Sequence, residues 1–167
     1  LNGRHGKGYC TQSTVAGEMA ADWTESLRGA LRSQPVGVPL ILFVSEVRDA
    51  LPAKIMLRAA SNGFLTICTS FGTDMVSSID SVFQLVGMEY STTLANILRL
   101  VVHQQCVDGK FTADALASNG AGSPLANLIR NGLIAQIENE FRQQKNYNRI
   151  KIEKGKFRPL ADYGEVI

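Results

Sequence analysis

The sequence lacks the features that mark disulfide-stabilised, zinc-binding or membrane-spanning proteins. Its three cysteines, Cys10, Cys68 and Cys106, are widely spaced and form no C-x-x-C pair. We therefore expect neither a disulfide framework nor a zinc ribbon, and a reducing compartment fits best. The longest apolar run, residues 36–44, is interrupted by a glycine and a proline. It is far shorter than the roughly 20 residues of a membrane-spanning helix, so we predict none.

The sequence also has little bias of charge. Seventeen Lys and Arg against fifteen Asp and Glu give a formal net charge of +2. Because nucleic-acid binding normally requires a strong basic bias, we expect no nucleic-acid partner. A chain of 167 residues that is 45% hydrophobic and 19% charged is typical of one ordinary globular domain.

Sequence motifs of several catalytic classes are missing. The phosphate-binding pattern G-x-x-x-x-G-K-[ST] does not occur, and its nearest match, GKG at residues 6–8, lacks the first glycine and the final hydroxyl residue. No G-x-S-x-G is present, which argues against a Ser-His-Asp hydrolase. His103 and Cys106, three residues apart on a predicted strand, face opposite sides, so we predict no metal site.

The first residues, 1–9, are glycine-rich and basic without an apolar stretch. This composition does not fit a signal peptide, and we interpret the segment as the middle of a loop. We therefore expect the chain to begin at an engineered or proteolytic boundary.

The apolar pattern of the first half predicts alternating helices and strands. The uninterrupted apolar run at residues 40–44 indicates a central parallel strand that is covered on both faces. The predicted elements are an amphipathic helix over 17–33, strands over 40–44 and 64–69, and a helix over 51–61.

The second half predicts helices around one hairpin. Asp74 or Thr73 is expected to cap a helix that reaches Leu85, and a further helix covers about 91–99. Asp108-Gly109 is a hairpin signal between strands over 100–107 and 110–116. Helical segments are predicted over 125–130 and 133–144, after a flexible loop at 119–124. The order of the tail from Asn146 is left open.

Polar side chains are predicted to gather at one edge of the sheet. In parallel α/β sheets, ligands bind beyond the carboxyl ends of the strands. Five residues fall at that edge, namely Glu46, Arg48, Asp49, Thr69 and Asp74. An acid directly after an apolar strand suits magnesium-nucleotide hydrolysis, in which it orients water or metal near the γ-phosphate. An ordinary surface carboxylate is the alternative for Glu46.

Six segments, in the same order and at similar spacing, resemble motifs of the type II secretion and type IV pilus ATPases. The resemblance runs from about Gln12 to Gln144. The family motifs are A-L-R-x-x-L-R, G-E-I-R-D, A-A-x-x-G-H-L, T-L-H-T-N-D, V-x-Q-R-L and P-x-[IV]-x-x-L-I-R-x-G. Here the corresponding segments are SLRGALR at 26–32, LFVSEVRD at 42–49, AASNGFL at 59–65, TSFGTD at 69–74, VHQQC at 102–106 and PLANLIRNG at 124–132.

The resemblance implies an α/β fold. The expected fold is the distal part of a RecA-like parallel sheet, over residues 1–118, followed by a mostly helical C-terminal subdomain, over 119–167. The last motif favours the pilus assembly and retraction branch. The whole protein is then expected to be an ATPase that uses ATP and Mg²⁺, and residues 1–167 alone are expected to be inactive without the phosphate-binding loop.

The resemblance also implies site residues and partners. Glu46 matches the Walker B glutamate that positions the attacking water, and Arg48 with Asp49 matches the pair that organises that edge. Thr69 matches the threonine before the family's histidine. Two basic residues, Arg28 and Arg32, resemble arginines near the phosphates or the subunit interface, with ordinary helix-end charge as the alternative. The implied partners are other subunits of a hexamer and inner-membrane platform proteins, for a cytoplasmic protein peripheral to that membrane.

Several departures from the family pattern keep other functions open. The family's histidine is replaced by Phe71, which neither donates to phosphate nor titrates. Ser45 replaces the glycine before Glu46, and Gln105 replaces an arginine. These changes indicate a divergent or slow motor. The alternatives are a non-catalytic assembly or docking module that keeps the scaffold, and an unrelated α/β domain, which would lack a parallel sheet.

Overall fold

The computed structural model describes residues 2–12, 20–32 and 37–153 of the chain. Their contacts divide them into two compact units, one ending at Thr69 and the other beginning at Ser70. The predicted distinction between an ATPase core up to residue 118 and a helical subdomain after it stays a prediction.

The first unit begins with an antiparallel hairpin. Strands β1 (Gly3–His5) and β2 (Gly8–Cys10) pair through Arg4 and Tyr9 at their centres. The loop predicted for residues 1–9 is therefore wrong where these strands form. Gly6 has φ of 58°, which glycine adopts without steric cost, and it allows the chain to reverse between the strands.

The rest of the first unit alternates helix and strand. Its elements are α1 (Ala20–Arg32), β3 (Ile41–Val44), α2 (Ala50–Ser61) and β4 (Leu65–Cys68). Residues 17–19 and Ser33 of the predicted first helix lie outside the described residues. Strands β3 and β4 pair in parallel, from Ile41 opposite Leu65 to Val44 opposite Cys68. This pairing confirms the predicted parallel arrangement.

Both helices of this unit pack against one face of the β3–β4 pair. The core of the unit brings together Leu27 of α1, Ala59 of α2 and Phe64, with Leu42 of β3 partly buried against them. The other face carries apolar side chains that are exposed, namely Ile41 (67%), Phe43 (62%), Leu65 (57%) and Ile67 (46%). The strand predicted at residues 40–44, which is β3 here, was expected to be covered on both faces. That prediction is wrong for the described residues.

The second unit is a helical layer with one long hairpin. It contains α3 (Met75–Val86), α4 (Ser91–Ile97), β5 (Leu100–Val107), β6 (Lys110–Ala117), α5 (Pro124–Arg130) and α6 (Ile137–Glu153). The predicted hairpin at Asp108-Gly109 is confirmed, with φ of 50° and 73°. The α-helix predicted from Leu133 begins only at Ile137, because a 3-10 turn occupies Ile134–Gln136.

Helix α6 continues beyond the predicted end at Gln144, up to Glu153. Gln144 lies within this longer helix, and its side-chain amide both donates to the carbonyl of Ala117 and accepts from the N–H of Ala117. Lys145 adds an ion pair with Asp114 at 2.8 Å. These contacts fasten the middle of α6 to β6. Residues 154–167 of the predicted tail lie outside the described residues.

Candidate functional site

Two of the predicted site residues follow the carboxyl ends of β3 and β4. Glu46 comes two residues after β3, and Thr69 comes directly after β4. Because the two strands are parallel, their carboxyl ends lie at the same edge of the pair. The structure thus brings these two residues together, as the sequence predicted, while their chemical roles stay predictions.

Thr69 is bonded to the main chain on both sides of Glu46. Its hydroxyl donates a hydrogen bond to the carbonyl of Ser45. Its own carbonyl accepts from the backbone N–H of Val47 at 2.9 Å. Ser45 and Val47 therefore link the end of β3 to the end of β4 beyond the paired residues of the strands.

The second of these bonds departs from a regular parallel ladder. The register sets Val44 opposite Cys68, and continuing it would make the N–H of Glu46 the donor to the carbonyl of Thr69. The observed donor is Val47, so the segment after β3 contains one residue more than a regular ladder would have at this point. Such an irregularity acts like a β-bulge, which re-aims a side chain at the end of a strand.

The carboxylate of Glu46 forms an ion pair with Arg48. The distance from Arg48 Nη2 to Glu46 Oε2 is 2.6 Å, and the two side chains are 67% and 29% exposed. The hydrogen bond to Glu46, together with the charge of its carboxylate, raises the pKa of Arg48. The edge therefore presents a positive and a negative group side by side, both reachable from solvent.

Asp49 is the N-cap residue of α2. Its backbone is extended, with φ of −126° and ψ of 158°, and its carbonyl accepts from the N–H of Ala53 at 3.2 Å. Its carboxylate accepts no hydrogen bond from the helix. The side chain of Asp49 is exposed and adds a second negative group at the N-terminus of α2, next to Arg48.

The two arginines that resemblance pointed to lie on α1. Arg28 and Arg32 are one helical turn apart and therefore on the same side of the helix, and both are exposed. They are not part of the contacts that join Glu46, Arg48 and Thr69. A role near the phosphates or at a subunit interface stays a prediction.

Two main-chain groups of this edge were not predicted from the sequence. They are the carbonyl of Ser45 and the N–H of Val47, which bind Thr69. Val47 itself is only 2% exposed, so it anchors the chain directly after Glu46. The apolar character of Val47 amid polar residues was the one sequence signal of that anchor.

Asp74, also predicted at the edge, is occupied by a local role in the second unit. Its carboxylate accepts from the N–H of Ser77 at 2.7 Å, and the Ser77 hydroxyl accepts from the N–H of Asp74 at 2.9 Å. These bonds form a capping box at the start of α3. The hydrogen bond from Ser77 lowers the pKa of Asp74. The prediction that Asp74 caps a helix is confirmed.

The loop before α3 is held by the hairpin. Two side chains of β5, His103 and Gln105, reach it: His103 Nε2 lies 3.2 Å from the carbonyl oxygen of Gly72, and Gln105 Nε2 lies 3.5 Å from that of Thr73. Gln105, which replaces a family arginine in the resemblance, therefore contacts the segment that follows Phe71.

The described residues offer neither a grouped set of metal ligands nor a membrane-spanning helix. Within residues 2–12, 20–32 and 37–153, no three His, Cys, Asp or Glu side chains are grouped so that they could hold a metal ion. Among the helices of that same part of the chain, none combines the length and the apolar character needed to cross a bilayer.

Comparison with known sequences identifies a family. The model of the family described as type II/IV secretion system protein matches residues 7–149, which is most of the chain. The protein transport protein HofB homolog of Haemophilus influenzae is 34% identical over 96 residues. That match covers 58% of this chain and 19% of the relative, so the chain spans about a fifth of the length of this curated relative.

Comparison with solved structures supports the fold that was predicted from the sequence. The ATPase DotB of Legionella pneumophila matches with a TM-score of 0.59 and 18% identity, over 80% of this chain and 39% of that one. The ATPase DotB of Yersinia pseudotuberculosis matches with a TM-score of 0.58 and 17% identity, over 82% and 36%. At these identities the likeness concerns the fold alone, and it confirms the predicted RecA-like α/β class.

Proposed function

The chain belongs to the type II/IV secretion system protein family, and on that premise we propose that it is the C-terminal part of a motor ATPase domain. The whole protein would couple ATP hydrolysis to the assembly or retraction of a pilus, or to secretion. In this proposal residues 1–167 supply the edge that orients water for hydrolysis. They also supply the helical part that couples hydrolysis to the work of the motor.

One observation carries the proposal. The carboxylate of Glu46 lies at the carboxyl edge of a parallel strand pair, beside the guanidinium of Arg48. In nucleotide hydrolysis a carboxylate accepts a hydrogen bond from the attacking water, and cationic groups neutralise the charge that develops on the phosphoryl oxygens. Glu46 and Arg48 provide both kinds of group within one short segment.

The residues present fit one side of an ATP and Mg²⁺ site. Glu46 and Asp49 offer carboxylates that would hold water, and Arg48 offers a cation for the terminal phosphate. Bound Mg²⁺ neutralises charge on the β- and γ-phosphates in such enzymes. The loop that cradles the other phosphates has no match in the 167 residues. We therefore propose that residues 1–167 do not hydrolyse ATP alone.

The proposed setting follows the family. We propose a ring of identical subunits, with six as the expected number, in the cytoplasm and bound to platform proteins of the inner membrane. In such a ring, Arg28 and Arg32 would reach the phosphates of their own or a neighbouring subunit. Their exposure on α1 supports this placement.

A variant of Glu46 tests the proposal in the longer protein that contains these residues. Glu46→Gln keeps the size of the side chain and removes the charge that orients water, so we expect ATP turnover to fall by about 10²-fold or more. Nucleotide binding, measured with a non-hydrolysable ATP analogue and Mg²⁺, should be retained. A variant with normal turnover would remove Glu46 from the mechanism.

A matched control exists within the chain. Glu138 pairs with Arg142 at 2.7 Å on the exposed surface of α6, a distance close to the 2.6 Å of the pair between Glu46 and Arg48. Glu138→Gln removes the same charge and the same kind of ion pair. Turnover should be unchanged in this variant.

A second candidate function is a non-catalytic docking module that keeps the family scaffold. The observation in its favour is Phe71, which stands where the family has a histidine and is 65% exposed. An aromatic side chain at that position suits contact with another protein more than contact with phosphate. Retained binding of ATP without any turnover in the unchanged longer protein would favour this function.

A further inference from the structure

We propose that Thr69 is a positioning residue for Glu46, and that its hydroxyl does not bind the nucleotide. The inference rests on the proposed function, because Glu46 must act on water for its position to matter. Resemblance alone placed Thr69 among the catalytic residues, whereas its contacts indicate that it acts through the main chain around Glu46.

Thr69 binds both peptide groups of Glu46. The carbonyl of Ser45 belongs to the peptide group before Glu46, and it accepts from the Thr69 hydroxyl. The N–H of Val47 belongs to the peptide group after Glu46, and it donates to the Thr69 carbonyl at 2.9 Å. Because peptide groups are planar, restraining both of them restrains the two backbone angles of Glu46 and the direction in which its Cα–Cβ bond leaves the chain.

The surroundings strengthen this restraint. Val47 is 2% exposed, so the residue after Glu46 is held by packing as well as by its hydrogen bond. Thr69 is β-branched, which limits the rotation of its side chain and keeps the hydroxyl directed at one acceptor. Glu46 thus projects from a segment that is tied down at both ends.

The hydrogen-bonding capacity of Thr69 argues against direct contact with phosphate. A threonine hydroxyl has a single O–H donor, and here it is directed at the carbonyl of Ser45. Phosphate oxygens only accept hydrogen bonds, so the remaining lone pairs of the hydroxyl offer them nothing. Binding phosphate would require Thr69 to release Ser45 and with it one restraint on Glu46.

Two substitutions of Thr69 in the longer protein test the inference. Thr69→Val keeps the shape and removes the hydroxyl, and we expect kcat for ATP to fall about tenfold, which corresponds to the loss of one hydrogen bond. KM for ATP and the Kd of a non-hydrolysable analogue should change less than about twofold. Thr69→Ser keeps the hydroxyl and should restore most of kcat. Thr69→Ala carries the same test if the valine variant does not fold.

The matched control is Thr66, three residues earlier in the chain and within β4. Its hydroxyl donates to the carbonyl of Phe64 at 3.5 Å and does not touch the segment around Glu46. Thr66→Val should leave kcat unchanged. A fall in kcat equal to that of Thr69→Val would show that loss of any threonine hydroxyl from this strand is sufficient, which would overturn the inference.

A double variant separates positioning from a purely structural role. If Thr69 acts through Glu46, then Thr69→Val should have no further effect on turnover when Glu46 is already glutamine. If the single variant Thr69→Val bound the non-hydrolysable analogue more weakly and kept its kcat, Thr69 would be a nucleotide ligand. That result would overturn the inference.

The outcomes for Glu46 and Thr69 keep the two proposals apart. Normal turnover of Glu46→Gln would remove the proposed role of Glu46 in hydrolysis, and the positioning role of Thr69 with it. Loss of turnover in Glu46→Gln together with normal turnover in Thr69→Val would overturn the positioning role alone.

Discussion

Arg48 pairs with Glu46 although its side chain is 67% exposed, more than twice the 29% of its partner. Exposed ion pairs contribute little to folding because water solvates both charges. We therefore predict that Arg48→Gln in the longer protein leaves the midpoint of urea unfolding nearly unchanged. ATP turnover should fall, because the cation beside the carboxylate that we propose orients water is gone.

The control for this prediction is Arg142, which pairs with Glu138 at 2.7 Å on the surface of α6. Arg142→Gln should change neither the unfolding midpoint nor turnover. If Arg48→Gln clearly lowered the urea midpoint, the lower turnover would be explained by lost stability. The ion pair would then be a structural element rather than part of the site.

Asp74 provides a prediction for the pH dependence of stability. The N–H of Ser77 lowers its pKa in the folded protein below the ordinary value of 3.8. A carboxyl with a lowered folded-state pKa stabilises the fold above its unfolded-state pKa, and this stabilisation is lost as pH falls through the folded-state pKa. Asparagine also caps helices but does not titrate in this range. The stability advantage of Asp74 over Asp74→Asn should therefore disappear between about pH 5 and about pH 2.

Thermal unfolding midpoints measured across this range check the prediction. Asp80→Asn, in the middle of the same helix, leaves the capping box intact and serves as the control. A constant difference between Asp74 and Asp74→Asn at all pH values would show that the carboxylate of Asp74 is not linked to folding.

The sequence predicted strands β3 to β6, and it placed Glu46 and Thr69 after the carboxyl ends of β3 and β4, because these features depend on local patterns. The apolar run that ends at Val44 and the polar residues after it are visible along the chain, and the parallel pairing follows from the alternation of helix and strand. The N–H of Val47, instead of that of Glu46, donates to the carbonyl of Thr69. This one-residue shift depends on the register between two segments that are distant in the sequence. Register is set by packing in three dimensions, so the sequence alone did not specify it.

The exposed face of the β3–β4 pair was missed for a similar reason. A continuous apolar run predicts burial on both faces, but only one face of β3 meets helices in the described residues. The helix cap at Asp74 and the turn at Asp108-Gly109 were predicted correctly, since each depends on residues that are adjacent or nearly so.

Arg130 gives a prediction about the last family motif. Its guanidinium donates to Asn127 Oδ1 at 2.7 Å, to Asn96 Oδ1 at 3.1 Å and to the carbonyl of Ala121 at 2.9 Å. It thereby joins α4, α5 and the loop between the hairpin and α5. Lysine has one nitrogen and cannot reach three acceptors set apart in this way. Arg130→Lys should therefore lower the free energy of unfolding by about 1–3 kcal/mol.

Urea unfolding of the variant checks this value, with Arg142→Lys as the control for the same exchange at a surface pair. We expect no change for the control. An Arg130→Lys variant as stable as the unchanged protein would show that these three contacts contribute nothing to folding.

Phe43 and Val44 are adjacent in β3 but face opposite sides of the strand pair. Phe43 is 62% exposed and Val44 is 8% exposed. In residues 1–167, Val44→Ala removes buried methyl groups and should lower the free energy of unfolding by about 2 kcal/mol. Phe43→Ala should lower it by no more than about 0.5 kcal/mol, although its side chain is the larger. Urea unfolding of the two variants provides the comparison.

The same two variants, made in the longer protein, test whether the exposed face that carries Phe43 is buried in that protein. Parallel sheets are normally covered on both faces, so we expect Phe43→Ala to cost about 3 kcal/mol or more in the proposed longer protein, where further segments would cover it. Val44→Ala is the internal control, because its side of the sheet is already packed against α1 and α2 and its cost should not change. An equally small cost of Phe43→Ala in both proteins would contradict the expectation that the face of Ile41, Phe43, Leu65 and Ile67 becomes buried.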